Sequence, residues 1–116
     1  MDDVLKQMVV IYKPDGVDWL NFKLCRKNPY TFHHIEKRCD GGLRIISNGA
    51  ILTRLGHDFL NILEIREPEL YRNLNLLFKE LNNTKLPPTE DYYEEVNGIL
   101  RQKPKVLTLT RARRQY

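Results

Sequence analysis

The sequence predicts a small α+β domain, and three observations carry that expectation. A chain of 116 residues with 41% hydrophobic and 9% aromatic side chains can furnish one core but not two. The run Tyr30–Ile35 (YTFHHI) alternates aromatic and polar residues as a strand does, and the Asp40-Gly41-Gly42 that follows can turn the chain. Past Pro68, the apolar residues Leu70, Leu74, Leu77, Phe78 and Leu81 recur at the spacing that only a helix gathers on one side.

Taken in order, Met8–Tyr12 (MVVIY) is rich in β-branched and large apolar residues and is closed by Lys13-Pro14-Asp15-Gly16, so it reads as an N-terminal strand followed by a turn. Asp18 can cap a short helical turn through Trp19, Leu20 and Phe22, which Asn28-Pro29 must end. Tyr30–Ile35 is the next strand, and Leu43–Ile46 returns as its partner. Leu52, Leu55, Phe59, Leu60, Ile62 and Leu63 then mark a helix over Leu52–Ile65, completing a β-β-α unit. Pro68 suits the first turn of a further helix running to about Asn82. Pro87-Pro88 separates it from a shorter one, with Thr89 as N-cap, Glu90 and Asp91 in its first turn, and Tyr92, Val96, Ile99 and Leu100 facing inward. The expected organisation is one domain over residues 1–102, with 30–65 as its central unit, and a basic tail over 103–116.

Charge is unevenly spread. The chain holds 19 Lys and Arg against 15 Asp and Glu, and six of the basic residues but no acid fall from Arg101 onward. A basic arm on a near-neutral body suits phosphate contacts, because each neutralised phosphate releases counterions whatever the shape of the arm. Two cysteines, Cys25 and Cys39, with no CxxC, supply neither a disulfide scaffold nor a paired-thiolate zinc site. No apolar run approaches the roughly 18 residues of a membrane span, and Asp2 and Asp3 stand where a signal peptide carries positive charge. A soluble, cytoplasmic protein is expected.

The histidines concentrate the chemistry: His33, His34 and His57 all lie within 25 residues. Neighbours on a strand point to opposite faces, so His33 and His34 are suited to different tasks, one toward a metal and one toward a substrate. His57 precedes Asn61 by four residues, a helical spacing that puts an imidazole and an amide oxygen on one face where they can hold an ion, or where they form a plain hydrophilic face. Trp19 and Tyr30 read as packing residues, and the cysteines as small inert hydrophobes.

The run FHHIEKRCDGGLRIISNGAILTRLGHDFLN, residues 32–61, resembles the HNH nuclease motif, the ββα-metal fold of colicin-type toxins and of phage and homing endonucleases. His34 to Asn48 is 14 positions, Asn48 to His57 nine and His57 to Asn61 four, and Gly41-Gly42 and Ile51-Leu52 stand where the family has its Gly-Gly and its hydrophobic pair. The resemblance implies a ββα-metal module flanked by the N-terminal strand and the two C-terminal helices. It implies His33 as first metal ligand, His34 as general base, Asn48 as the loop residue that orients the base, His57 as second ligand and Asn61 as third. The implied activity is endonucleolytic hydrolysis of DNA with one divalent cation.

Two departures matter. The CxxC pairs that hold a structural zinc in many members are absent, Thr53 and Gly56 standing at the nearer positions. The first ligand is His33 where acidic residues are frequent, which favours Mn, Ni or Zn over Mg. So compact a chain offers little surface for reading bases, so Lys37, Arg38, Arg44, Arg54, Arg111, Arg113 and Arg114 are expected to contact DNA phosphates. The family's small members also suggest a phage setting, with a packaging or other protein partner. The rival readings are a non-catalytic HNH-like module that binds nucleic acid or protein, such as a phage accessory or anti-defence protein, and a structural zinc module using His33, His57 and a cysteine.

Overall fold

The computed structural model describes residues 1–105; Arg111, Arg113, Arg114 and most of the 103–116 tail therefore lie outside the described residues. The fold is α+β. Helix α1 (Asp3–Tyr12) leads through an irregular segment to a two-stranded antiparallel sheet, β1 (Tyr30–His34) and β2 (Gly49–Thr53), and then to α2 (Arg54–Arg66), α3 (Pro68–Thr84) and α4 (Glu90–Leu100). Tyr30 pairs with Thr53 and His34 with Gly49. Among the described residues no helix is long and apolar enough to cross a membrane.

The N-terminal element is a correction: Met8–Tyr12 belongs to a helix, not a strand. Its β-branched composition argues for extension, but the decisive signals lie upstream. The Asp2 side chain caps the helix by accepting from the Leu5 amide at 3.0 Å, and Leu5, Met8 and Tyr12 are buried while Val10 is exposed, a one-sided pattern with helical spacing. The helix ends at Lys13 in the left-handed conformation (φ 44°), just before Pro14.

The second strand is also displaced. Leu43–Ile46 lies in the connecting loop with Leu43 and Ile45 exposed, and the partner of β1 is Gly49–Thr53. All five residues of β2 are buried, so the segment lacks the alternation of a half-exposed strand, and by composition Leu52 reads as part of the following helix. That helix starts at Arg54, where the Thr53 hydroxyl caps it by accepting from the Gly56 amide at 3.1 Å. Asp18 caps no helix. Its carboxylate instead accepts from the backbone amides of Leu20, Phe22 and Thr53.

The C-terminal pair follows the expectation, with Pro68 opening α3 and the Thr89 hydroxyl capping α4 through the Tyr92 amide at 3.1 Å. Both helices fasten the core by long-range bonds. Tyr12 Oη donates to Asn82 O at 2.7 Å, Asn82 Nδ2 donates to Ile46 O and Gly49 O at 2.6 and 2.7 Å, and Tyr92 Oη donates to Trp19 O at 2.6 Å. Trp19, Tyr12, Phe22, Phe59 and Phe78 are fully buried between these elements, and α3 lies close enough to the sheet to contribute a side chain to the histidine site.

Candidate functional site

His33 and His34 occupy the last two positions of β1. Strand alternation sorts them to opposite faces: the His34 ring packs on Phe32 at 4.8 Å between centroids, whereas the His33 ring meets His57 at 5.3 Å and Phe78 at 5.8 Å. His33 is only 5% exposed, and its Nε2 lies 2.7 Å from Asn75 Oδ1 of α3. His57, near the start of α2, places Nδ1 at 3.1 Å from the Thr31 hydroxyl. Asn61 and Glu64 follow His57 along α2, one and two turns on.

One cleft of about 220 Å³ is lined by His33, His34, Lys37, Arg38, His57, Asn61, Glu64 and Tyr71. Lys37 is ion-paired with Glu64, and its ammonium lies 6.0 Å from the Tyr71 ring. Burial pushes the His33 pKa down to about 4, against the raising effect of Asn75. Burial also lowers His57, partly offset by Asp58. His34 is lowered by burial and then by the positive charges of Arg44 and Arg38. All three rings are therefore neutral near pH 7, with lone pairs available. His34 Nε2 is enclosed and has no hydrogen-bond partner among the described residues.

The loop between the strands is tied by Asn48. Its Oδ1 accepts from the Glu36 amide at 2.8 Å, and its Nδ2 donates to Glu36 O at 3.0 Å and Leu43 O at 2.9 Å. Gly41 has φ 92°, and a Cβ on Gly42 would fall 1.8 Å from Glu36 O, so the tight return through Gly41-Gly42 needs both glycines. This loop leaves β1 directly after His34, so the Asn48 bonds hold the backbone that carries that ring.

The structure thus brings His33, His34, His57 and Asn61 to one cleft together with Lys37 and Arg38, and puts Asn48 in the loop between the strands. Arg44 and Arg54 are not among the cleft residues: Arg44 pairs with Asp2 and lies 4.6 Å from the Phe32 ring, and Arg54 is exposed at the first position of α2. Among the described residues no three His, Cys, Asp or Glu side chains form a group that could hold a metal ion; the set here is two imidazoles and the amide of Asn61. Cys25 and Cys39 are free thiols. Sequence reasoning misses Asn75, Thr31 and Glu64. Glu64, seven positions after His57, and Thr31, two before His33, share faces with the histidines by spacing alone, whereas Asn75 arrives only through tertiary packing. No family model, no curated protein and no solved structure matches the chain.

Proposed function

We propose that this chain is a metal-dependent endonuclease of the HNH kind, hydrolysing DNA phosphodiester bonds with His34 as general base. The observation that carries the reading is the convergence of His33 and His34 of β1 with His57 and Asn61 of α2 on one small cleft, within a β-β-α unit whose connecting loop is tied by Asn48. The donor set fits one divalent cation of the Mn, Ni or Zn type, with Mg less favoured. Two imidazoles meet edge to face at 5.3 Å and 89°, both are kept unprotonated by burial, and Asn61 adds an amide oxygen. His33, His57 and Asn61 would hold the ion. When bound, such an ion supplies Lewis-acid stabilisation of the charge that develops on the leaving oxygen.

The remaining roles belong to the chain itself. His34, neutral at pH 7, accepts the proton of the water that attacks phosphorus. Asn48 keeps the backbone after His34 in place, so the ring does not wander. Lys37 and Arg38, which also line the cleft, would meet the phosphates flanking the scissile bond, and Arg44, Arg54 and the tail arginines Arg111, Arg113 and Arg114 would serve more distant contacts. Hydrolysis in this sense leaves 5′-phosphate and 3′-hydroxyl ends.

The test is supercoiled plasmid incubated with full-length protein and Mn²⁺. Nicked circles with 5′-phosphate ends, abolished by a chelator, are expected. Intact plasmid under Mn²⁺, Ni²⁺, Zn²⁺ and Mg²⁺ alike, with the DNA nonetheless retained in a gel shift, would replace this reading with the non-catalytic binding module.

A further inference from the structure

We infer that Thr31 sets the tautomer of His57, holding the proton on Nδ1 so that the lone pair resides on Nε2, the nitrogen available to a metal. One proton decides the matter. Thr31 Oγ1 lies 2.9 Å from Leu52 O and 3.1 Å from His57 Nδ1. A hydroxyl has a single hydrogen and two lone pairs, and a carbonyl oxygen can only accept. Both contacts are hydrogen bonds at once only if the Thr31 hydrogen goes to Leu52 O and Nδ1–H donates to Oγ1. A neutral imidazole protonated at Nδ1 carries its lone pair at Nε2.

The hydroxyl is itself fixed by the sheet. Thr31 and Leu52 are cross-strand partners, so the carbonyl that takes the hydroxyl hydrogen is held by the ladder, and Thr31 shares its face of β1 with His33 by alternation. Across the cleft the complementary arrangement holds: His33 Nε2, 2.7 Å from the amide oxygen Asn75 Oδ1, is the protonated nitrogen, leaving the lone pair on Nδ1. Two rings meeting edge to face are thus polarised in opposite senses by residues outside the His34, Asn48, His57 spacing. Outer partners that fix a ligand's tautomer and ring orientation govern affinity for the ion, so Thr31 is a positioning residue. The tautomer itself stands on the hydrogen bonds alone; its use as a metal ligand rests on the nuclease reading.

The experiment separates the two. Long-range ¹H–¹⁵N correlation spectra of ¹⁵N-labelled full-length protein report which nitrogen of His57 bears hydrogen, without metal or DNA. Wild type should show Nδ1 protonated. Thr31→Val, nearly isosteric and without the hydroxyl, should shift His57 toward the Nε2–H form, and Thr31→Ser should restore wild-type behaviour. Zn²⁺ titration calorimetry should then show affinity about 10- to 100-fold weaker in Thr31→Val and near wild type in Thr31→Ser. An Nε2–H His57 in the wild-type spectrum overturns the inference, a measurement that needs no variant to fold. So does an unchanged tautomer in Thr31→Val. The Nδ1–H form together with no Zn²⁺ binding by wild type would uphold the tautomer device and overturn the metal site.

Discussion

Two polar clusters flank the same hairpin, and they are built to opposite rules. At the junction of β2 and α2, Asp18 is fully buried and both its oxygens are occupied. Oδ1 accepts from the Leu20 and Phe22 amides at 2.8 and 2.9 Å, and Oδ2 accepts from the Thr53 amide and hydroxyl at 2.7 and 2.8 Å. The fit is close enough that a Cβ on Gly56 would lie 2.2 Å from Oδ2. At the other end of β1 lies the histidine cleft, where the enclosed His34 Nε2 has no partner among the described residues. A carboxylate whose every acceptor faces a protein donor has no capacity left for a ligand; it replaces the ladder bonds that the irregular segment after α1 cannot make. Imidazoles that line a cleft and whose hydrogen-bonding sites the protein does not fill retain that capacity. Burial of a charge-bearing side chain thus separates structure from chemistry less well than the count of its unused hydrogen-bonding sites.

The largest expected effect is on the satisfied cluster. Asp18→Ala strands three buried backbone amides, each costing about 1–3 kcal/mol, together most of the roughly 5–15 kcal/mol that holds a domain folded. Urea denaturation should show a loss of at least about 3 kcal/mol or no cooperative transition at all. A loss under about 1 kcal/mol would mean that water replaces the carboxylate and that the two clusters do not differ as described.

The converse substitution is His34→Ala. On the proposed nuclease reading His34 is the general base, whose loss costs about 10²- to 10⁴-fold in rate, so plasmid nicking in Mn²⁺ should fall by that factor. The urea midpoint should move little, since the residue is only half-buried and its enclosed Nε2 makes no bond among the described residues. A folded variant with wild-type nicking would remove His34 from the mechanism.

The third prediction uses pH, because the clusters titrate in opposite senses. Burial outweighs the four donors and lifts the Asp18 pKa to about 6, so its contribution to stability is full below about pH 4 and fades as pH rises through 6. His33 is pushed down to about 4 from an ordinary value near 6.5, so its contribution is full above about pH 6.5 and is lost as pH falls through 4. In metal-free protein the two slopes oppose each other. His33→Gln, whose amide can still donate to Asn75, deletes only the second. Relative to wild type the variant should gain about 3 kcal/mol between pH 7 and pH 4, since each tenfold weakening of proton binding on folding is worth about 1.4 kcal/mol. Parallel stability curves for the two proteins would show that His33 is not held neutral by its surroundings.

What the sequence discloses follows the same division between local and assembled features. The helices α3 and α4 are legible because their stripes, Leu70 to Leu81 and Tyr92 to Leu100, and their terminal signals, Pro68 and Thr89, are local. The spacing of His34, Asn48, His57 and Asn61 is legible because the β-β-α unit is continuous in the chain. Helix α1 is misread because Val9, Val10 and Ile11 favour strands by composition, while the cap at Asp2 and the buried face through Leu5 lie outside the run MVVIY. Strand β2 is misplaced because burial on both faces erases alternation, so Leu52 reads as the start of the following helix and the strand is sought earlier, at Leu43–Ile46. Asn75, which reaches His33 from 42 residues away, and Asp18, which reaches Thr53 from 35 away, depend on the packed core and leave no local signature.

The smallest effect falls on neither cluster and calibrates both. Gly98 lies inside α4, and no atom stands within 4 Å of where its Cβ would be. Its φ is not positive, so alanine enters without strain or clash. Gly→Ala at a helix interior restricts the unfolded chain and improves helix propensity by about 0.5–1 kcal/mol. Gly98→Ala should therefore raise stability by that amount and the melting temperature by a few degrees, read by thermal denaturation. The nicking rate should be unchanged, because α4 contributes no side chain to the cleft. It does, however, touch the Asp18 cluster, through Tyr93 Oη donating to Asp18 O at 3.0 Å. Added stability with an altered nicking rate would mean that the cleft responds to the rigidity of α4 through the Asp18 junction, and the clusters would then be one coupled system. Added stability with constant rate keeps them separate, so that a stability change in Asp18→Ala and a rate change in His34→Ala can each be assigned to its own site.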